Sequence, residues 1–356
     1  MNAPLVPIER VLSRLEPSSR TPSSSKELLD QRKRPLTDLR LSVTDRCNFR
    51  CPYCKPKNKP RHQPARGNGE PPLDFDEITN IASAFVDLTV RKVRLTGGEP
   101  LVRRGLPQLV ERLARLRIDD LCMTTNGSLL ASQAAALSDA GLGRVTVSLD
   151  ALDEVTFHRM TDGQASLGSV LAGIEAARRH GLAPVKINMV VQRGLNEHAI
   201  LPMADWARRE GLELRFIEYM DVGCANGWQR GDVVTAAEIL ELVGQNWPLE
   251  AAPNRNDHDT AERFRYLDGA GHIGVVASIS RPFCSDCARA RVSSKGMLYP
   301  CLFAPSGVDL AGPLREGQDL RPLISGFWRR RTDRYSELRA IMPSGLSRPE
   351  MSEIGG

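Results

Sequence analysis

Short apolar runs alternate along the chain with longer segments in which apolar residues recur every three or four positions. The runs are rich in β-branched residues and lie at 39–43, 92–96, 120–124, 144–149, 185–191 and 213–218. Regular alternation of a short apolar strand and an amphipathic helix is typical of βαβ units in a parallel sheet. The pattern therefore predicts an α/β fold with six βα units.

The helical segments between these runs carry recognisable start and stop signals. Segment 76–89 has an apolar face, and Asp74 and Glu77 before it are spaced as a capping box. Segment 105–117 has a similar apolar face. Glycines that would end the next helices stand at Gly141, Gly181 and Gly211. A closed barrel of this type has eight units, so six predict an open, three-quarter barrel.

The pattern changes on either side of these units. Beyond residue 221 the periodicity weakens, and pairs such as Asn226-Gly227 indicate loops. We predict a partial barrel over 36–221 and a C-terminal region over 222–356 that covers its open side. Residues 1–35 are polar and are expected to form a mobile arm.

Composition limits the possible class of protein. The chain has 356 residues, of which 41% are hydrophobic, so it can bury a sizeable core. No stretch has the eighteen uninterrupted apolar residues of a membrane helix, and the N-terminal segment lacks the apolar core of a secretory signal. Its acidic residues argue against a mitochondrial transit peptide. We therefore expect a cytoplasmic protein.

The net charge of +5 is mild, and the basic residues form no long block. Charge alone therefore does not indicate a nucleic-acid partner, and an anionic small molecule would explain it as well.

Three cysteines follow the first predicted strand at C-x3-C-x2-C spacing, and we call Cys47, Cys51 and Cys54 the first trio. A [4Fe–4S] cluster normally takes four thiolates, so three leave one iron open to a substrate. A structural zinc site is the alternative, although closed zinc sites use four ligands. Six of the eight cysteines fall in two short groups, which in a chain of this length indicates metal ligands rather than disulfides.

A second trio consists of Cys284, Cys287 and Cys301 at C-x2-C-x13-C spacing. It again leaves one iron of a [4Fe–4S] cluster open. Zinc is a stronger alternative here, because C-x2-C pairs occur in zinc knuckles and His272 could be a fourth ligand. The remaining Cys122 and Cys224 are assigned to no metal, and Cys122 is expected to be a buried hydrophobic residue.

Basic side chains recur within the predicted strands, where a single charged residue usually indicates a solvated face but a set on successive strands indicates a shared binding site. Residues two apart on a strand face the same way, as Lys92 and Arg94 do, and as Arg289 and Arg291 do in a short strand that follows Cys287. Other strands carry Arg40, Lys186 and Arg215. A buried set of cations requires anionic partners, and guanidinium groups bind phosphate in a bidentate fashion.

The first trio, with an aromatic residue before its last cysteine, resembles the signature of radical S-adenosylmethionine (SAM) enzymes. Within that superfamily the surrounding run Asp38–Cys51, the second trio and the pair Gly355-Gly356 resemble the GTP 3′,8-cyclases of molybdenum cofactor biosynthesis. The resemblance runs from about Arg34 to the last residue. It implies the same partial barrel.

The resemblance also implies cofactors and site residues. Two [4Fe–4S] clusters and SAM are the implied cofactors, and GTP is the implied substrate, with its purine on the second cluster. Contacts to SAM would come from Tyr53, Gly98, Ser148 and Met220. Contacts to GTP would come from Arg40, Lys92, Arg94, Thr124, Lys186, Arg215, Arg289 and Arg291. Catalytic roles fall to Arg40, Arg289, Arg291, Gly355 and Gly356, the glycines as a tail that enters the barrel.

In the implied reaction a 5′-deoxyadenosyl radical removes hydrogen from C3′ of GTP, and C3′ then joins C8 of guanine. An electron donor such as flavodoxin or ferredoxin and a downstream cyclic pyranopterin monophosphate synthase are the implied partners. The chain could act as a monomer or homodimer, and neither nucleic acid nor membrane is expected.

Two alternatives remain from the residues. One is another radical SAM enzyme with an auxiliary cluster, acting on a peptide or porphyrin. The other is a zinc-dependent nucleic-acid-binding protein, which would leave the barrel pattern unexplained.

Overall fold

Six parallel strands form the first part of the sheet, each within two residues of its predicted position. The computed structural model describes residues 27–55, 71–223, 226–254, 259–339 and 348–355. The strands are β1 (Asp38–Ser42), β2 (Lys92–Thr96), β3 (Asp120–Thr125), β4 (Arg144–Ser148), β5 (Lys186–Val191) and β6 (Glu213–Glu218). All neighbouring pairs from β1 to β6 are parallel. The prediction of six βα units is confirmed.

Amphipathic helices connect these strands. They are α1 (Phe75–Leu88), α2 (Leu106–Ala114), α3 (Leu130–Asp139), α4 (Glu154–Thr161), α5 (Leu167–Arg179) and α6 (Ile200–Arg209). The capping box of α1 is present, with Asp74 accepting from the Glu77 N–H and Glu77 accepting in return. Positive φ angles follow three helices at Gly141, Gly181 and Gly211, as predicted. Apolar helix faces pack on the sheet and form the main core.

The C-terminal region contributes six more strands to the same sheet. They are β7 (Leu249–Ala252), β8 (Glu262–Tyr266), β9 (His272–Val276), β10 (Arg289–Val292), β11 (Met297–Tyr299) and β12 (Val308–Asp309). Its helices are α7 (Ala236–Asn246), α8 (Ala311–Arg315), α9 (Leu320–Arg329), α10 (Tyr335–Leu338) and α11 (Met351–Ile354). None of the helices in the described ranges is long and apolar enough to cross a membrane.

The strand order shows how this region joins the barrel. It runs β12-β11-β10-β1-β2-β3-β4-β5-β6-β9-β8-β7, with β12 and β7 at its two ends. Strand β10 pairs in parallel with β1, and β9 pairs in parallel with β6. Eight neighbouring strands are therefore parallel, but the described sheet does not close. The open barrel is confirmed, and the C-terminal region extends both of its edges.

The expectation of a mobile arm over residues 1–35 is wrong for residues 27–35. Leu28 and Arg34 are buried, and the Leu36 N–H donates to the Leu28 carbonyl at 3.0 Å. The Asp30 N–H donates to the Arg34 carbonyl at 3.1 Å. We call residues 28–36 the N-terminal hairpin. Residues 1–26 of the predicted arm lie outside the described residues.

Candidate active site

A cavity of about 210 Å³ lies on the inner face of the sheet. Inward-facing side chains from β1 to β6 and from β10 line it, together with the second trio. The strand alternation explains this arrangement, because every second residue of a strand points to the same face. Several polar side chains therefore meet where a barrel would otherwise have a packed apolar interior.

Three arginines stand side by side across this face. Arg40 on β1 is in register with Arg291 on β10 and with Arg94 on β2. Burial, and then the neighbouring arginines, lower the pKa of Arg40 well below its ordinary value. Burial and Arg289 lower the pKa of Arg291 to about 10. Within the described parts of the chain none of these three guanidiniums, nor that of the neighbouring Arg289, forms an ion pair with a carboxylate, so all four can accept an anionic ligand.

Hydroxyl groups on the next two strands orient Arg94. Its Nη1 donates to Thr124 Oγ1 at 3.0 Å and to Thr146 Oγ1 at 3.2 Å. Arg94 is 5% exposed, and both threonines line the cavity. Since a guanidinium has five N–H donors, Arg94 keeps donors for a ligand.

The other predicted cations already have acidic partners. Lys92 Nζ lies 2.5 Å from Asp38 Oδ2. Burial opposes ionisation of Asp38, but Lys92 and Arg40 lower the pKa of this carboxyl to about 2. Lys186 Nζ lies 2.9 Å from Glu213 Oε1, and Arg215 contacts the same oxygen.

Lys186 differs from the remaining predicted substrate residues in its position. It is buried with Glu213 and is not among the residues that line the cavity. Burial, and then Arg215, lower the pKa of Lys186 to about 8.

The second trio lies against the arginines. Cys284, Cys287 and Cys301 all line the cavity. Arg289 Nη2 lies 4.0 Å from Cys287 Sγ. Although burial opposes it, Arg289 and then Arg331 lower the pKa of the Cys287 thiol to about 6.

The first trio lies in the loop that follows β1. The Phe49 N–H donates to Cys47 Sγ at 3.3 Å. Burial raises the pKa of the Cys47 thiol to about 11 and that of Cys54 to about 12, and Cys47 adds to the effect at Cys54. Burial, followed by Cys54, raises the pKa of Cys51 well above its ordinary value.

The donor sets fit iron–sulfur clusters. None of the six cysteines forms a disulfide, and within each trio neighbouring thiols are close enough to influence one another electrostatically. Among the described residues no three His, Cys, Asp or Glu side chains are arranged to hold a single metal ion. A cluster makes a different demand, because each thiolate binds its own iron. Cys122 is buried in β3 as expected, and Cys224 lies outside the described residues.

Three of the four predicted SAM residues line the cavity: Tyr53, Ser148 and Met220. Tyr53 also packs with Cys51 and Cys54 of the first trio. The Tyr53 hydroxyl donates to Asp150 Oδ2 at 2.8 Å, and burial raises the pKa of Asp150 to about 6. Gly98 does not line the cavity. A Cβ there would lie 2.2 Å from the Arg46 carbonyl oxygen, so contact between the two loops already requires glycine.

The last described residue is inside the barrel. Arg291 Nη1 donates to the Gly355 carbonyl oxygen. Gly355 has φ +72°, and a Cβ there would lie 1.9 Å from Thr96 Oγ1. The structure thus brings Gly355 to Arg291, while Gly356 lies outside the described residues.

Comparisons with known proteins show the family of this chain. The family model of the Radical SAM superfamily matches residues 41–207, and that of Molybdenum Cofactor Synthesis C matches residues 212–337. A GTP 3′,8-cyclase of Acidothermus cellulolyticus is 49% identical over 340 residues, covering 91% of each chain. One from Xanthomonas axonopodis pv. citri is 48% identical, covering 92% of this chain and 98% of its own. The chain belongs to the GTP 3′,8-cyclase family.

Solved structures resemble this GTP 3′,8-cyclase family member in fold. SuiB of Streptococcus suis, bound to S-adenosylmethionine, has a TM-score of 0.55 at 16% identity, over 75% of this chain and 60% of its own. The structure of anSMEcpe with AdoMet and the Cp18Cys peptide has a TM-score of 0.57 at 13% identity, over 89% and 94% of the two chains. At these identities the likeness concerns the fold alone.

Some residues that line the cavity of this family member, or join the loops around it, were not predicted from the sequence. Asp38 and Asp150 line the cavity, and each lies two residues from a predicted site residue on the same strand face or just beyond it. Strand alternation could have identified both. Glu99 is buried and accepts from the Thr125 hydroxyl and the Asn126 N–H, and burial raises its pKa to about 7. It joins the loops after β2 and β3, a contact that no local signal predicts.

Proposed function

We propose that this protein is a GTP 3′,8-cyclase. It converts GTP to (8S)-3′,8-cyclo-7,8-dihydroguanosine 5′-triphosphate, an early step of molybdenum cofactor biosynthesis. One observation carries the proposal: four arginines without carboxylate partners in the described chain, Arg40, Arg94, Arg289 and Arg291, line a cavity that also contains the second cysteine trio. A polyanionic nucleotide would neutralise the positive charge of these four arginines.

Each trio would hold a [4Fe–4S] cluster with one iron open. SAM would bind at the first trio, beside Tyr53, Ser148 and Met220, with Gly98 in the adjoining loop. When bound, the first cluster and SAM would supply the radical chemistry that removes a hydrogen atom from C3′ of GTP. The purine would bind at the second trio.

The chain's own side chains bind and orient the substrate. Arg94, held by the threonine hydroxyls of Thr124 and Thr146, presents a fixed guanidinium to phosphate. Arg291 holds the Gly355 carbonyl and so connects the C-terminal segment to the substrate cavity. Lys92, its partner Asp38 and Arg215 line the same cavity. Lys92 would exchange its contact with Asp38, and Arg215 its contact with the buried Glu213, for phosphate.

Lys186 would act through Glu213 rather than directly, because the pair is buried outside the cavity lining. GTP as substrate, a flavodoxin- or ferredoxin-like reductant and a downstream pyranopterin-forming synthase complete the proposal. Gly356 would extend the segment that begins at Gly355.

An anaerobic assay with SAM, dithionite and GTP tests this function. We expect 5′-deoxyadenosine and the cyclised nucleotide only when GTP is present. Cys51→Ala is expected to abolish deoxyadenosine formation, because two thiolates cannot present the open iron correctly. Cys287→Ala is expected to lose cyclisation while some SAM cleavage remains. Deoxyadenosine formed with a peptide but not with GTP would contradict the proposal.

A further inference from the structure

The N-terminal hairpin holds a buried arginine next to the second trio. Arg34 is 1% exposed and lines the cavity. Its Nε donates to Asp30 Oδ2 at 2.6 Å, and the Asp30 Oδ1 accepts from the Arg34 N–H at 2.9 Å. Asp30 and Arg34 lie on opposite sides of the hairpin turn. The nine-residue hairpin therefore contains both members of this ion pair and fixes their geometry locally.

Arg34 forms hydrogen bonds to the turn that carries the first two cysteines of the second trio. Its Nη1 donates to the Cys284 carbonyl at 2.8 Å and to the Asp333 carbonyl at 2.9 Å. The Trp328 Nε1 donates back to the Arg34 carbonyl at 3.1 Å. One guanidinium thus joins three segments that are far apart in the sequence.

A second arginine, Arg331, forms a hydrogen bond to the other end of the same turn. Arg331 Nη1 donates to the Cys287 carbonyl at 2.8 Å, and its Nε lies 2.7 Å from Asp333 Oδ1. The Gln31 N–H donates to the Arg331 carbonyl at 3.3 Å, which ties this arginine to the hairpin. The carbonyls of Cys284 and Cys287 are therefore fixed by two guanidiniums, and each guanidinium has a carboxylate partner.

One donor of this assembly is left over. Arg34 Nη2 is buried and makes no hydrogen bond within the described residues, and Asp333 Oδ1 is 3.8 Å away from it. A buried charged donor without an acceptor is costly, so a group that binds beside it gains by accepting its hydrogen bond. Inorganic sulfide and thiolate sulfur are such acceptors, and hydrogen bonds to them change a cluster's reduction potential.

We propose that Arg34 is a positioning residue of the second cluster site: it fixes the turn between Cys284 and Cys287, and its Nη2 is the donor offered to the cluster. This inference rests on the proposed function, because it concerns the cluster that the second trio would hold. It places the N-terminal hairpin, far from the trio in sequence, inside the cluster's binding site.

The test compares iron and sulfide content of full-length chains purified anaerobically. The wild type is expected to hold about eight irons, from two [4Fe–4S] clusters. Arg34→Gln is expected to lose the second cluster and keep about four irons on the first trio. Arg208→Gln is the matched control, since Arg208 is also held by an acid, Asp268, at 2.5 Å and stacks on Tyr266 away from both trios. It is expected to keep the wild-type iron content.

Two further variants separate positioning from general stability. Arg34→Lys keeps a charge beside Asp30 but cannot reach both carbonyls, so we expect near wild-type melting with poor loading of the second trio. Asp30→Asn combined with Arg34→Gln removes the pair without leaving a buried charge, and is also expected to load poorly. Recovery of the full iron content in either variant would overturn the proposal.

The reduction potential of the second cluster gives a further test, because it would not change if Arg34 only stabilised the fold. Any second cluster that loads in Arg34→Lys is expected to titrate at a more negative potential in EPR-monitored titrations, because the reduced cluster loses a donor. An unchanged potential would contradict the role of Nη2. A wild-type chain with only about four irons would instead overturn the second cluster of the proposed function, a failure visible without any substitution.

Discussion

The substitution Arg94→Met tests the cationic cavity most directly. Arg94 is 5% exposed, lies in register with Arg40, and is oriented by the Thr124 and Thr146 hydroxyls. Methionine fills much of the same space but removes the charge and all five donors. The protein without nucleotide is expected to be no less stable, because one of several neighbouring cations has been removed.

The expected loss of GTP affinity follows from the contact that disappears. A hydrogen bond to a charged group contributes about 1.5–3 kcal/mol, which is about a tenfold to 150-fold increase in Kd. Thr146→Val removes only a hydroxyl that orients Arg94. A neutral hydrogen bond contributes about 0.5–1.5 kcal/mol, so about a twofold to tenfold increase is expected.

Anaerobic equilibrium titration with GTP measures both effects, and a double-mutant cycle connects them. If Thr146 acts through Arg94, then Thr146→Val has almost no effect in the Arg94→Met protein. Equal losses from Thr146→Val in both backgrounds would refute that coupling. Wild-type affinity in Arg94→Met would show that this guanidinium does not contact the nucleotide.

Two other predictions concern the C-terminal segment and the acid at the start of β1. Gly355→Ala is expected to suppress cyclisation but not cluster content, because the new Cβ would lie 1.9 Å from Thr96 Oγ1. The measurement is the yield of cyclised product relative to deoxyadenosine, and a ratio equal to that of the wild type would contradict this. The pKa of Asp38 is lowered from 3.8 to about 2 in the folded protein. This shift contributes about 2 kcal/mol to the free energy of unfolding, a contribution that is fully present above pH 3.8 and is lost as the pH falls toward 2. Urea unfolding between pH 5 and 2 is expected to show this loss of stability in the wild type and not in Asp38→Asn. If the free energy of unfolding changes with pH by the same slope in both proteins, the assigned role of Asp38 is contradicted.

Local patterns in the sequence predicted the strands and the inward direction of their basic residues. They did so because strand and helix periods depend on neighbouring residues. The pairing of Lys92 with Asp38 was also within reach, since both residues occupy inward positions of adjacent strands. The pairing of Lys186 with Glu213 follows the same rule across β5 and β6.

Contacts between distant segments could not be predicted in this way. Arg34 falls in a polar stretch with no periodic signal, and its partners Cys284 and Asp333 lie 250 and 299 residues away. The placement of β9 and β10 on opposite edges of the barrel is likewise a property of the whole chain. A local pattern shows that such a strand exists but not where it pairs.

The pairing of β1 with β10 has a consequence for how the protein is made. Strand β1 emerges early from the ribosome, but its neighbour on one side is synthesised some 250 residues later. Until then β1 has an unpaired edge, and exposed strand edges are sites of aggregation. Contacts between such distant residues also slow folding. A chain shortened before β10 would therefore carry a complete first cysteine trio on a barrel with an open edge, so we expect truncated forms to aggregate before they can retain a cluster.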